Sequence, residues 1–165
     1  MNSRAVRSYR LDTTTDVALQ RGTNLLRPIA VGGAMVGVLD MIPAFASFGV
    51  KAPQGVAAGL IGPSAAFQGG VLTWVLGMLL HFIAFAAATI YCFAGRKMNF
   101  LADHWFVCGL FYGTAVFLFM NLVVLPLSAL RIAGPYQLRA LIEGILGNMV
   151  EIGLPISFSL HRFAK

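Results

Sequence analysis

Residues 71–95 read VLTWVLGMLLHFIAFAAATIYCFAG. The run is 25 residues long, contains no Asp, Glu, Lys or Arg, and stops at Arg96 and Lys97. A helix rises about 1.5 Å per residue, so this length exceeds what a soluble core helix needs and fits the roughly 30 Å hydrocarbon core of a bilayer. Trp74 and Tyr91 stand near the two ends, where interfacial aromatics sit. The one titratable residue of consequence is His81, near the middle.

Composition extends that reading to the whole chain. Of 165 residues, 58% are hydrophobic and 11% charged, against about 25% charged in soluble domains, and the mean hydropathy is +0.80. A soluble domain this small has too little interior to hide so much apolar surface. The net charge of +6 does not point to nucleic acid, because the basic residues flank apolar runs instead of forming one basic face. Cys92 and Cys108 fall in or beside apolar runs with no C-x-x-C, which favours buried, inert thiols.

Residues 1–27 are polar, with Arg4, Arg7, Arg10, Arg21 and Arg27. They do not read as a cleavable signal peptide, because no short apolar segment with a small-residue cleavage site follows. A basic cytoplasmic tail is expected, with residues 16–26 as a weakly amphipathic surface helix. The first span is expected at 28–50, opened by Pro28 and carrying G-x-x-x-G at Gly33 and Gly37. Residues 51–70, KAPQGVAAGLIGPSAAFQGG, are too short to cross and predict an interfacial helix or a re-entrant dip. The second span is 71–95. The third, 105–129, has G-x-x-x-G at Gly109 and Gly113, and the fourth is 139–160. Five basic residues in the tail, two in the 96–104 turn and two at the C-terminus face three elsewhere, Lys51, Arg131 and Arg139. That asymmetry predicts both termini in the cytoplasm and an even number of spans. The expected fold class is all-α, a polytopic four-helix transmembrane bundle in a bacterial inner membrane.

Five polar residues fall within the predicted hydrocarbon: Asp40, His81, Asn121, Asn148 and Glu151. A charge at bilayer centre costs ~2.5–3.5 kcal/mol on the insertion scale, so such groups turn inward and find partners. Antiparallel neighbours put Asp40, His81 and Glu151 at similar depth, with Asn121 further outward. In each span the small and polar residues recur on one stripe: Gly33, Gly37, Asp40, Ala44; Trp74, Gly77, His81, Phe85, Ala88; Thr114, Asn121; Gly144, Asn148, Glu151, Pro155. Pro43, Pro126 and Pro155 each follow a polar residue closely and free the carbonyls of Leu39, Leu122 and Glu151, which predicts weak points in the helical ladder.

Two readings of the cluster compete. One is a hydrogen-bonded knot in which Asp40 or Glu151 pairs with His81 and the asparagines complete the network. The other is a proton or ion path, or a small-ligand cavity. A metal site has suitable ligand types but no diagnostic spacing, and a lone inner histidine disfavours haem. No cofactor is expected. The sequence contains no G-x-S-x-G, H-E-x-x-H, P-loop or G-x-G-x-x-G, so no enzyme is expected. The expected partners are the lipid bilayer and a second copy or a membrane complex. Transport or proton and ion handling leads; an accessory or assembly subunit is the alternative.

GVLDMIPAF, GVAAGLIGPSAAFQGG, LGMLLHFIAF, FMNLVVLPLSAL and GLPISFSL-HR together resemble a group of small four-helix bacterial inner-membrane proteins, loosely similar to the YagU-like family. The resemblance covers residues 28–163 and implies Asp40, His81, Asn121, Pro126, Gly153 and Pro155 as marked positions. It implies no activity, substrate or cofactor. YagU-like proteins are linked with acid tolerance, a link the resemblance does not carry over to this chain.

Overall fold

The computed structural model describes residues 25–132 and 137–163. The expectations for residues 1–24 and for a turn at Gly134 and Pro135 lie outside the described residues. Among the described residues every regular element is helical: α1 (Leu26–Phe48), a 3₁₀ turn (Gly49–Lys51), α2 (Ala52–Ile61), α3 (Pro63–Gln68), α4 (Gly70–His81), α5 (Ala84–Lys97), α6 (Phe100–Asp103), α7 (Trp105–Phe119), a π turn (Met120–Val124), α8 (Leu125–Leu127), α9 (Leu138–Asn148), a second π turn (Met149–Gly153) and α10 (Leu154–Phe163). They group into four helical runs long and apolar enough to cross a membrane: Leu26–Ile61, Gly70–Lys97, Trp105–Leu127 and Leu138–Phe163.

The first run cannot be one straight rod. At Gly49 φ is 59°, a backbone that glycine adopts at no steric cost, and the chain turns there into α2. Prolines then sit in the first turns of α2 and α3, where a missing N–H costs nothing. Residues 52–68 fold against α4. The Gln54 amide donates to the Gly70 carbonyl at 3.2 Å, and the Thr73 hydroxyl donates to Ala66 O at 2.6 Å. Gly77 in α4 packs directly on the Pro53 carbonyl. Ala57, Ala58 and Ala66 form a small buried core there.

The second run is broken, which its uninterrupted apolar pattern does not foretell. Phe82 N–H donates to Leu79 O and Ile83 N–H to Leu80 O, at 3.1 and 3.0 Å. These are three-residue returns, so the helix tightens between α4 and α5. No proline or glycine occupies this stretch. The break lets α4 follow α2 while α5 follows α1, where the Phe85 ring covers Gly33.

The third and fourth runs change pitch where the prolines predict weakness. Leu125 N–H donates to Met120 O, and Leu154 N–H to Met149 O, five residues back in each case. A proline lacks its own N–H and clashes with the carbonyl four residues before it. The wider turn removes the clash, and Pro126 and Pro155 then begin fresh α-helices. Pro43 differs: it lies inside an unbroken α1. The two runs pack closely through glycine. Gly109 and Gly113 of α7 lie against the backbone of Asn148, Met149 and Gly153.

The largest core joins α1, α5 and α10 through Val36, Ala88, Tyr91, Cys92, Ile156 and Leu160. Ser159 donates to the Pro28 carbonyl at 2.8 Å across that seam. Much of the outer surface is apolar: Phe48, Val71, Leu72, Phe111, Leu127 and Leu138 are all more than two-thirds exposed. Water would oppose so continuous an apolar surface; lipid would accept it.

Candidate functional site

His81 closes α4 and faces α1. Its ring has two partners there. Nε2 lies 3.0 Å from the Gly37 carbonyl oxygen, and Nδ1 lies 3.6 Å from Oδ2 of Asp40. Gly37 and Asp40 are three residues apart, so one face of α1 presents both.

This geometry assigns the ring's proton. A carbonyl oxygen only accepts, so Nε2 must carry hydrogen. A neutral ring then points the bare lone pair of Nδ1 at the Asp40 carboxyl. A carboxylate there would meet negative charge with negative charge. The pair is therefore favourable in two forms, imidazolium with carboxylate or neutral imidazole with carboxylic acid. Either form leaves one proton on the pair, whose 3.6 Å separation is an ion-pair contact longer than a hydrogen bond.

The two members differ in exposure: the His81 side chain is 9% exposed and the Asp40 side chain 41%. Glu151 stands within electrostatic reach of Asp40, carried there by the second π turn, which packs on α1. Its carboxyl folds back toward Gly147 of its own helix. The structure thus brings His81 to Asp40, with Glu151 within electrostatic reach of Asp40. Of the alternatives for the histidine's acid, Asp40 is the one in contact.

The asparagines do something the sequence reading missed. Asn121 Nδ2 donates to Phe117 O at 2.9 Å, and Asn148 Nδ2 donates to Gly144 O at 3.0 Å. Each amide reaches the carbonyl four residues back on its own helix, at the edge of a π turn. The i, i+4 spacing to an asparagine just before a proline was the available signal. Among the described residues no three of His, Cys, Asp and Glu come together as a metal-binding group. Cys92 is buried, Cys108 is half-buried, and both thiols are free.

The fold and this cluster together describe an all-α protein with four membrane-length helical runs and an acid–histidine pair between the first two. No family model, no curated protein and no solved structure matches the chain.

Proposed function

We propose that this is a four-span protein of a bacterial inner membrane, with both termini in the cytoplasm, that handles protons or ions through the Asp40–His81–Glu151 cluster. It is not an enzyme, uses no cofactor, and does not bind nucleic acid. Kinship with the YagU-like group belongs to the same reading and rests on the quoted motifs alone.

The observation that carries it is the Asp40–His81 contact with one open side. His81 is sealed and its Nε2 is tied to Gly37, while Asp40 is 41% exposed at mid-helix depth. An open carboxyl at that depth is too costly against lipid, at ~2.5–3.5 kcal/mol. It needs water or a partner on its open side. Water there makes a path for protons between Asp40 and Glu151. The contact of Pro53 with Gly77, about two turns inside α4, supports a shallow re-entry of residues 52–61 over a helix lying flat. The test is flux in proteoliposomes. Asp40→Asn and His81→Ala should abolish proton or ion movement while the protein still purifies folded. Wild-type vesicles without flux, and mutants that lose only thermal stability, would overturn the reading.

The same open carboxyl favours a second reading, an accessory subunit whose partner helix brings a cation to Asp40. Mild-detergent purification should then yield a stable hetero-complex, and a lone monomer would count against it. Gly33, Gly109 and Gly113 are covered from within the chain, and Gly37 is the open glycine of the two G-x-x-x-G motifs.

A further inference from the structure

A groove of about 400 Å³ opens between α5, α6 and α7, lined by Ile90, Tyr91, Ala94, Leu101, Phe111 and Tyr112 among others. That volume falls in the range of small-ligand sites, roughly 300–1,000 Å³. Its wall offers almost nothing polar, because each lining group that could bond is turned away. The Tyr112 hydroxyl donates to Ala87 O at 2.7 Å. The Tyr91 hydroxyl points to Leu101 O at 3.4 Å, and the Cys108 thiol, also in the lining, to Phe100 O at 4.0 Å. The two tyrosine rings pack with centroids 4.7 Å apart, so carbon faces the cavity. A ligand with polar groups along its length would leave them unmet; a hydrocarbon chain would not.

One end of the groove is charged. Ile90, Ala94 and Lys97 follow each other at i, i+4 and i+7 on α5, so Lys97 continues the lining stripe past the apolar part. Arg96 stands beside it. Both are exposed, both end the helix, and among the described residues neither has an acidic partner. The carbonyl end of a helix further favours cations at this place. Asp103 and His104 at the end of α6, and His161, whose Nδ1 lies 2.7 Å from Ala102 O, with Arg162 beside it, are the nearby groups that could oppose or add to that charge.

We infer that this groove is a binding site for one anionic phospholipid, its acyl chain against Tyr91 and Tyr112 and its phosphate at Arg96 and Lys97. The inference rests on the membrane-spanning part of the proposed function and not on the Asp40–His81 cluster. An exposed basic residue near a headgroup shifts lipid preference about fivefold. The full-length protein, purified in mild detergent, is titrated with phosphatidylglycerol or phosphatidylcholine and retained lipid is counted by native mass spectrometry. Wild type should retain one phosphatidylglycerol in preference to phosphatidylcholine. Arg96→Gln with Lys97→Gln should lose that preference, by about 25-fold for two charges. Ala94→Phe, which fills the groove, should lose both lipids. Arg139→Gln removes an exposed basic residue that pairs with Glu143 at the start of α9 and should change nothing. Equal retention of the two lipids by wild type, an unchanged preference in the double variant, or an equal loss in Arg139→Gln would overturn the inference. The charge substitutions are on exposed side chains, so the test does not depend on Ala94→Phe folding. A chain that partitions into buffer without detergent would sink the membrane reading itself, an outcome distinct from membrane insertion without lipid preference.

Discussion

The ring of His81 can satisfy the Gly37 carbonyl in one way only, with hydrogen on Nε2. ¹⁵N NMR should therefore find the hydrogen on Nε2 in the folded protein. A deprotonated Nε2 in folded protein would contradict the geometry. Gly113 is as constrained for a different reason: a Cβ there would collide with the backbone of Asn148 and Met149. Backbone cannot swing aside as a side chain can, so Gly113→Ala should cost about 1–3 kcal/mol, read as a lower midpoint of thermal unfolding in detergent. Gly37→Ala meets nothing within 4 Å and should leave that midpoint nearly unchanged. Ser159→Ala removes the bond to Pro28 O and should cost about 0.6 kcal/mol, the usual worth of such a bond between membrane helices.

At the scale of elements, the π turns are the main device. Each one answers a proline and brings an asparagine amide to its edge, and the second sits where two runs approach through glycine. The second also carries Glu151 toward Asp40. Pro155→Ala restores an N–H and removes the clash that keeps the turn wide. The ladder over Met149–Gly153 should then tighten, seen as slower amide hydrogen exchange at those residues. Because tightening rotates the turn, Glu151 should swing from Asp40, and any flux that depends on the pair should fall with it. Exchange that is unchanged in Pro155→Ala would mean the packing on Gly109 and Gly113, not the proline, holds the turn open.

Over the whole molecule, nine basic residues against three set the expected topology. Reporters fused to either end should behave as cytoplasmic: fluorescent green fluorescent protein, inactive alkaline phosphatase. Opposite behaviour at the two ends would imply an odd number of crossings.

How much of this was readable beforehand depended on the range of the interaction. The four apolar runs are local facts, because backbone groups in hydrocarbon must bond within their own helix and so require continuous stretches of apolar residues. The weak points at Pro126 and Pro155 were local too, since a missing N–H is written in the residue itself. The break after His81 was not legible: HFIAF contains no helix breaker, and the distortion arises where α4 and α5 follow different neighbours. The pairing of His81 with Asp40 in place of Glu151 was equally out of reach. Helical phase and depth put all three at one level, but which carboxyl meets the ring depends on how closely α1 approaches α4 at Gly37. The glycine motifs teach the same lesson, since their spacing permits close approach without saying to whom. Residues 71–95 announce a membrane-length helix through length and composition alone. That its histidine is a donor to Gly37 and stands against Asp40 follows only from packing, because contacts between distant parts of the chain are set by the fit of surfaces and not by any one stretch.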